Sequence, residues 1–258
     1  MLKFKKINIL ILIILFIFFV FEYFIELHIS AYIIIIIVWF TITSIGSVNI
    51  SWNYYLKALN KNDTIIKRHV AITFDDGPNN IYTLEVLKLL KRYKAKASFF
   101  CIGKNIKMYP KILKEIVNQG HIIGNHTYSH SYLMGFFSKE NVINEINCTN
   151  KLVEKILGKK MKLFRPPFGI TNPSIAKAIN EEKKQVIGWN IRSLDTIIND
   201  EKKILNRIKN KISPGSIILL HDTSKKSVNV LKQLLIFLYK NNYQSVTVDT
   251  LLNIDAYE

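Results

Sequence analysis

Val70-Ala71-Ile72-Thr73-Phe74-Asp75-Asp76-Gly77-Pro78 begins as an apolar, β-branched and aromatic run of the kind that forms a buried strand. It ends on two adjacent carboxylates, where Gly77-Pro78 turns the chain. Working outward, residues 97–102, 121–124, 162–164, 185–190, 216–220 and 244–248 read as further strands. Between them, residues 81–93, 108–119, 139–157, 173–182, 201–211 and 228–241 carry helical spacing, with Val142, Ile146, Leu152, Val153 and Ile156 forming one apolar stripe. This alternation predicts parallel strands joined by right-handed helical crossovers. A barrel and an open doubly wound sheet both satisfy the pattern.

The chemistry-bearing residues fall at the C-terminal ends of these strands, where parallel α/β folds gather their active groups. Asp75 and Asp76 follow the first strand, and His126-Thr127-Tyr128-Ser129-His130 follows the third. Histidines at i and i+4 share one face if the segment is helical. One carboxylate with two imidazoles suits a divalent metal with open positions, which leaves the second carboxylate free as a base. Each element has an ordinary reading when taken alone. Adjacent aspartates before Gly-Pro commonly make a solvated turn, paired histidines also cap helices, and Arg165 beside Pro166-Pro167 reads equally as a surface arginine. His221 and Asp222 emerge from the apolar run Ile217-Ile218-Leu219-Leu220. Five coincidences at strand ends outweigh the separate ordinary readings.

Thr73–Pro78 and His126–His130 resemble the first two motifs of the polysaccharide deacetylases (carbohydrate esterase family 4, NodB-homology). Arg165-Pro166-Pro167-Phe168-Gly169 resembles the third motif, Trp189–Asp195 the fourth and Leu219-Leu220-His221 the fifth. The resemblance runs from about Val70 to Leu252. It implies a distorted (β/α)7 barrel with Asp76, His126 and His130 on one divalent metal. Zinc is the family's expectation, although the donor set also suits cobalt, nickel, iron and manganese. It further implies Asp75 as base, His221 as general acid, the backbone at Phe168 as oxyanion donor, Leu219 as the acetyl pocket, and Trp189 at the substrate. Arg192 and Thr196 depart from the fourth motif, where an aspartate and a tryptophan are usual. Asp195 is therefore expected to pair with Arg165 in place of the missing aspartate. The implied reaction is removal of the N-acetyl group from an amino-sugar glycan. Deformylation of a lipid-linked aminosugar and non-catalytic sugar binding on the same fold are the alternatives.

Residues 1–50 differ from the rest. Lys3, Lys5 and Lys6 precede an apolar stretch from Ile7 to Phe21, and a second stretch from Ile29 to Ile50 carries no charge. The second is long enough to cross ~30 Å of hydrocarbon as a helix. No small-residue cleavage site follows Phe21, which argues against a removed signal peptide. One or two transmembrane helices, read as a hairpin, are expected over 1–50, a linker over 51–68, and the catalytic domain over 69–258. Basic residues on both flanks, Lys3, Lys5 and Lys6 before and Lys57, Lys61, Lys67 and Arg68 after, leave the side of the membrane open. Of 36 Lys+Arg and 19 Asp+Glu, three and two lie in the first 50 residues, so the remainder carries +16. That excess favours anionic lipid or glycan partners. Nucleic acid is the weaker reading, because no zinc-finger, RNP-type or basic-helix pattern accompanies the charge. Cys101 and Cys148 are expected as buried thiols with no disulfide.

Overall fold

The computed structural model describes residues 3–258. It opens with helices α1 (Phe4–Glu22) and α2 (Ile29–Val48), followed by β1 (Ala58–Leu59), β2 (His69–Asp75), α3 (Tyr82–Arg92), β3 (Ala97–Cys101), α4 (Gly103–Met108), α5 (Pro110–Asn118) and β4 (Ile122–Asn125). The chain continues through α6 (Lys139–Leu157), β5 (Leu163–Phe164), α7 (Pro173–Glu181), β6 (Gln185–Ile187), β7 (Ile191–Arg192), α8 (Glu201–Lys209), β8 (Ile217–His221), α9 (Lys225–Lys240), β9 (Gln244–Ser245) and α10 (Val248–Leu252). All strand pairs in the sheet are parallel, in the order β1-β6-β5-β4-β3-β2-β8-β7, with β9 added to β2. The sheet curls into a half-barrel, which decides between the two architectures the alternation allows.

β2 is central because its residues bury both faces. Val70, Ile72 and Phe74 enter the layer between sheet and helices, and Ala71 enters the barrel interior. The strand therefore reads as continuous apolar sequence instead of alternating. On the interior face Ala71 is followed by Thr73 and Asp75, so the period of two delivers a carboxylate to the barrel mouth. The helices are closed by local chemistry. Ser138, Asn172, Asp200 and Ser224 each accept a backbone N–H from the first turn they precede, and Gly158 ends α6 at φ 65°.

Three expectations are corrected. Residues 51–68 are not a free linker: Ala58–Leu59 pairs with Val186–Ile187, and Asn62 N–H donates to the Gly215 carbonyl (3.0 Å). Without β1, the outer edge of β6 would be left unpaired. Ile191–Arg192 forms an additional strand on β8. Cys101 is buried as expected, whereas Cys148 is exposed, because it lies two residues past Ile146 and so falls off the stripe of Val142, Ile146, Thr149 and Val153.

α1 and α2 are long and apolar enough to cross a membrane, and most of their large side chains point outward. The Trp39 indole N–H donates to Asn8 Oδ1 (2.8 Å) between them. Both ends meet the barrel: Phe4 N–H donates to the Tyr54 carbonyl (3.0 Å), Tyr54 packs on Gly46, and Thr171 N–H donates to the Ser47 carbonyl (2.8 Å).

Gly215 stands at φ +80°, and a Cβ there would overlap the Asn62 carbonyl oxygen. Gly215→Ala is expected to cost about 2 kcal/mol or more, read as a Tm lower by ~4–8 °C. Asp222 is fully buried, accepts from Thr83 Oγ1, and leaves Oδ1 without a partner. Burial pushes its carboxyl up to about 7, against ~3.9 in the unfolded chain. The native state thus holds a proton that the unfolded state releases, and this stabilising contribution is lost as pH rises from ~4 through ~7. Asp222→Asn, which cannot ionise, should show a smaller fall in Tm between pH 5 and pH 8 than the parent. Equal falls would contradict the assignment.

Candidate active site

The barrel interior is organised around Arg165, whose side chain is 0% exposed. It leaves β5 and crosses to β2, where Nη1 donates to Asp75 Oδ1 (2.7 Å) and Thr73 Oγ1 (2.8 Å). Nε and Nη2 donate to the carbonyls of Ile187 and Gly188 (2.9 Å each). The guanidinium lies 4.0 Å from the Phe100 ring centroid. Burial works against its charge, and Asp75 supports it. The result is a carboxylate at the barrel mouth with one oxygen fixed and the other facing the histidines.

Asp76, His126 and His130 come together so that one ligand atom from each lies within 4.8 Å of the others. Asp76 Oδ1 is 3.4 Å from His126 Nε2 and 3.2 Å from His130 Nε2. His126 follows β4, and its Nδ1 is 2.8 Å from the Arg165 carbonyl, so the proton sits on Nδ1 and Nε2 is left as a ligand. His130 is not brought in by a helix. Residues 126–130 form a turn with Thr127 at φ 65° and His130 at φ 51°. Glu145 Oε2 on α6 accepts the N–H groups of Tyr128 and Ser129 (2.9 and 2.7 Å), and Asn125 Oδ1 accepts that of Thr127 (2.8 Å). Side-chain acceptors thus replace the helical carbonyls that the i, i+4 reading supposes. Burial opposes ionisation of Asp76, but the nearby imidazoles of His126, His130 and His221 outweigh that and hold the carboxyl down at about 2. Burial and neighbouring His126 hold His130 below its ordinary value, in the neutral form that ligates.

The expected Asp195–Arg165 pair is absent. Asp195 instead accepts from His221: Oδ1 lies 2.8 Å from His221 Nδ1, and Oδ2 takes the His221 backbone N–H (2.9 Å). Ser193 and Ser227 hydroxyls complete its shell at 2.8 and 2.7 Å. Arg165 needs no intermediary, because it reaches Asp75 directly. Arg192 is exposed and lines the cleft, with its guanidinium 5.9 Å from the Trp189 ring centroid. Burial disfavours charge on His221, yet the Asp195 hydrogen bond and charge dominate and raise it to about 9. Its Nε2 faces the cleft, 4.0 Å from Asp76 Oδ2.

Asp75, Asp76, His126, His130, Arg192 and His221 line one cleft of about 400 Å³ with Phe168, Trp189, Leu219, Tyr132 and Asn105. Phe168 sits in the left-handed region at φ 60°, where a non-glycine residue is held only by its surroundings, and Gly169 follows at φ 71° against Trp189. Ser193, Ser227, Glu145, Asn125 and Tyr132 are absent from the sequence reading. Serines near an aspartate and an acid on an amphipathic helix give no local signal of such roles.

The polysaccharide deacetylase family profile matches residues 62–187. The chain is 38% identical over 188 residues to a peptidoglycan-N-acetylglucosamine deacetylase of Bacillus cereus, a match covering 71% of this chain and 87% of that protein. It is 35% identical over 182 residues to the peptidoglycan-N-acetylmuramic acid deacetylase PdaC of Bacillus subtilis, covering 70% of this chain and 38% of that longer protein. A crystal structure of a peptidoglycan N-acetylglucosamine deacetylase in complex with a naphthalenyl N-oxidanyl-benzamide aligns at TM-score 0.72 and 30% identity, over 77% of this chain and 94% of that one. With the curled parallel sheet and the Asp-His-His cluster at its mouth, these similarities mean that the chain belongs to the polysaccharide deacetylase family.

Proposed function

We propose that this protein is a membrane-attached, metal-dependent N-deacetylase of an N-acetylated amino-sugar glycan, of the peptidoglycan kind that its relatives act on. One observation carries the reading: a fixed carboxylate, Asp75, and a charged imidazole, His221, flank the Asp76-His126-His130 group inside a single cleft. Sugar binding alone needs neither a buried arginine behind the one nor a buried aspartate behind the other. That argues against the non-catalytic alternative.

The residues fit a divalent cation. Asp76 Oδ1 is buried with no hydrogen-bond partner, two imidazole nitrogens point at it, and the Arg165 carbonyl fixes the tautomer of one. Two nitrogens and an oxygen suit zinc, and also cobalt, nickel, iron or manganese. When bound, the cation supplies Lewis acidity toward the acyl oxygen and lowers the pKa of water. The protein's own groups do the rest. Asp75, with Oδ1 engaged by Arg165, accepts the proton of the attacking water on Oδ2. The cleft-lining turn at Phe168 offers backbone N–H to the oxygen that gains charge. As the C–N bond breaks, protonated His221 gives its Nε2 proton to the departing amine, and Asp195 stabilises the imidazolium beforehand. Leu219, 2% exposed, floors the acyl end of the cleft, and Trp189 offers an aromatic face to the sugar. The products are acetate and a free amino sugar.

Membrane attachment is inferred from α1 and α2. The Phe4–Tyr54 hydrogen bond returns the start of α1 to the barrel, so the N-terminus and the domain share one side of the bilayer in this reading.

Asp75→Asn is expected to lower acetate release from N-acetylglucosamine oligomers by ~10²–10⁴-fold while leaving bound metal unchanged by elemental analysis. His126→Ala should lose both. The acid role sets the pH dependence: activity should hold through neutrality and fall as pH rises through about 9, where His221 loses its proton. In Asp195→Asn that alkaline limb should move toward neutrality, and an unmoved limb would reject His221–Asp195 as the acid pair.

A further inference from the structure

The loop that follows His130 exposes three large apolar side chains. Tyr132 is 86% exposed, Leu133 62% and Phe136 87%, while Met134 between them is buried and anchors the turn. Tyr132 stacks on Phe168 and belongs to the cleft wall. Leu133 and Phe136 are outside that wall, so binding of substrate in the cleft leaves them unexplained. Neighbouring apolar side chains held outward on a loop mark a surface that meets something other than water.

What they meet is indicated by what the loop is tied to. The Gly135 carbonyl accepts from Asn172 Nδ2 (2.7 Å), and Gly135 packs against the Ile170 side chain. Between those two residues, Thr171 N–H donates to the Ser47 carbonyl in the last turn of α2. The loop is therefore held beside the barrel-facing end of the apolar hairpin. Aromatic side chains cluster at that end: Tyr54 and Tyr55 pack on Phe4, and half-buried Trp52 stands two residues before Tyr54. Ile50 continues the connection, buried behind Gly169 and Gly188 where Trp189 forms the cleft wall. Hairpin end, loop and cleft rim are one connected structure.

We propose that Leu133 and Phe136 insert into the headgroup region of the same bilayer that α1 and α2 cross, so that the cleft opens at the membrane surface and takes amino-sugar glycans anchored to or lying against lipid. The proposal rests on the membrane reading of the hairpin, and it deepens the proposed function by naming where the glycan is met. The basic excess of the domain favours anionic headgroups at that surface.

The test uses the full chain in phosphatidylglycerol-phosphatidylcholine nanodiscs, in a Cys148→Ser background with Cys101 left buried. An environment-sensitive fluorophore is placed at Phe136→Cys, at Tyr239→Cys and at Ile17→Cys. Tyr239, 76% exposed near the end of α9, lies by the N-terminal ends of the strands, away from the cleft. Ile17 reports on the hairpin itself. With lipid nitroxides set at ~5–10 Å, the depth of interfacial side chains, the label at 136 should lose at least about half its emission and that at 239 almost none. If 136 is quenched no more than 239 while 17 is quenched, the loop contact is overturned and membrane attachment stands. If 17 also escapes quenching, attachment fails and takes the proposal with it. Acetate release from N-acetylglucosamine oligomers, measured on the same discs, reports on the deacetylase reading independently of either result.

Discussion

A guanidinium with no exposed surface, Arg165, is the constraint on which the rest of the site depends. Taking such a charge out of water is costly unless every donor is met and a counter-charge lies close. Here two carbonyls of the β6 turn, one threonine hydroxyl and the Asp75 carboxylate meet the donors, and the Phe100 ring covers one face of the guanidinium. Even the position of that ring is prepared: a side chain at Gly124 would collide with it. The backbone carbonyl of Arg165 also orients His126. One residue therefore fixes the proposed base with its side chain and a metal-ligand candidate with its main chain, and displacing it would disturb both.

The cleft separates its charges by giving each acid a different partner. Asp75 has a permanent cation, Asp195 has an imidazole, and Asp76 has two imidazoles converging on Oδ1, which makes no hydrogen bond. Environment alone then distinguishes the proposed proton acceptor, the buttress of the proposed proton donor and a candidate metal ligand among chemically similar side chains. Such pushing apart of neighbouring titrations is how a single cavity runs acid and base chemistry at one pH.

How much of this could be read from the chain depends on the range over which each feature is written. The seven strand runs and six helices read from the sequence are local, and their periodicities survive folding because both faces of β2 and one face of each helix are buried. β1 and β7 exist only because neighbouring strands have edges to fill, a tertiary cause with no local trace. Asp75, Asp76, His126, His130 and His221 were legible as residues at strand ends. Their partners were not: the Arg165–Asp75 pair spans 90 positions and the Ser227–Asp195 bond 32, so no local spacing encodes either. The same limit puts Asp195 on the wrong cation, and it gives no sign that the Arg165 side chain is fully buried.

Ile50 fills the space left by two glycines behind Trp189, and the Ser47 carbonyl holds the strand of chain that leads from Phe168 to α7. The apolar hairpin is consequently not an interchangeable tether. Helices that adjust their tilt to match bilayer thickness would transmit that adjustment as a mechanical load on Thr171 and Ile50, within a few residues of the strained turn at Phe168. If α1 and α2 cross a bilayer as proposed, lipid composition becomes a variable that acts on the geometry of the cleft wall, even for a substrate that never touches lipid.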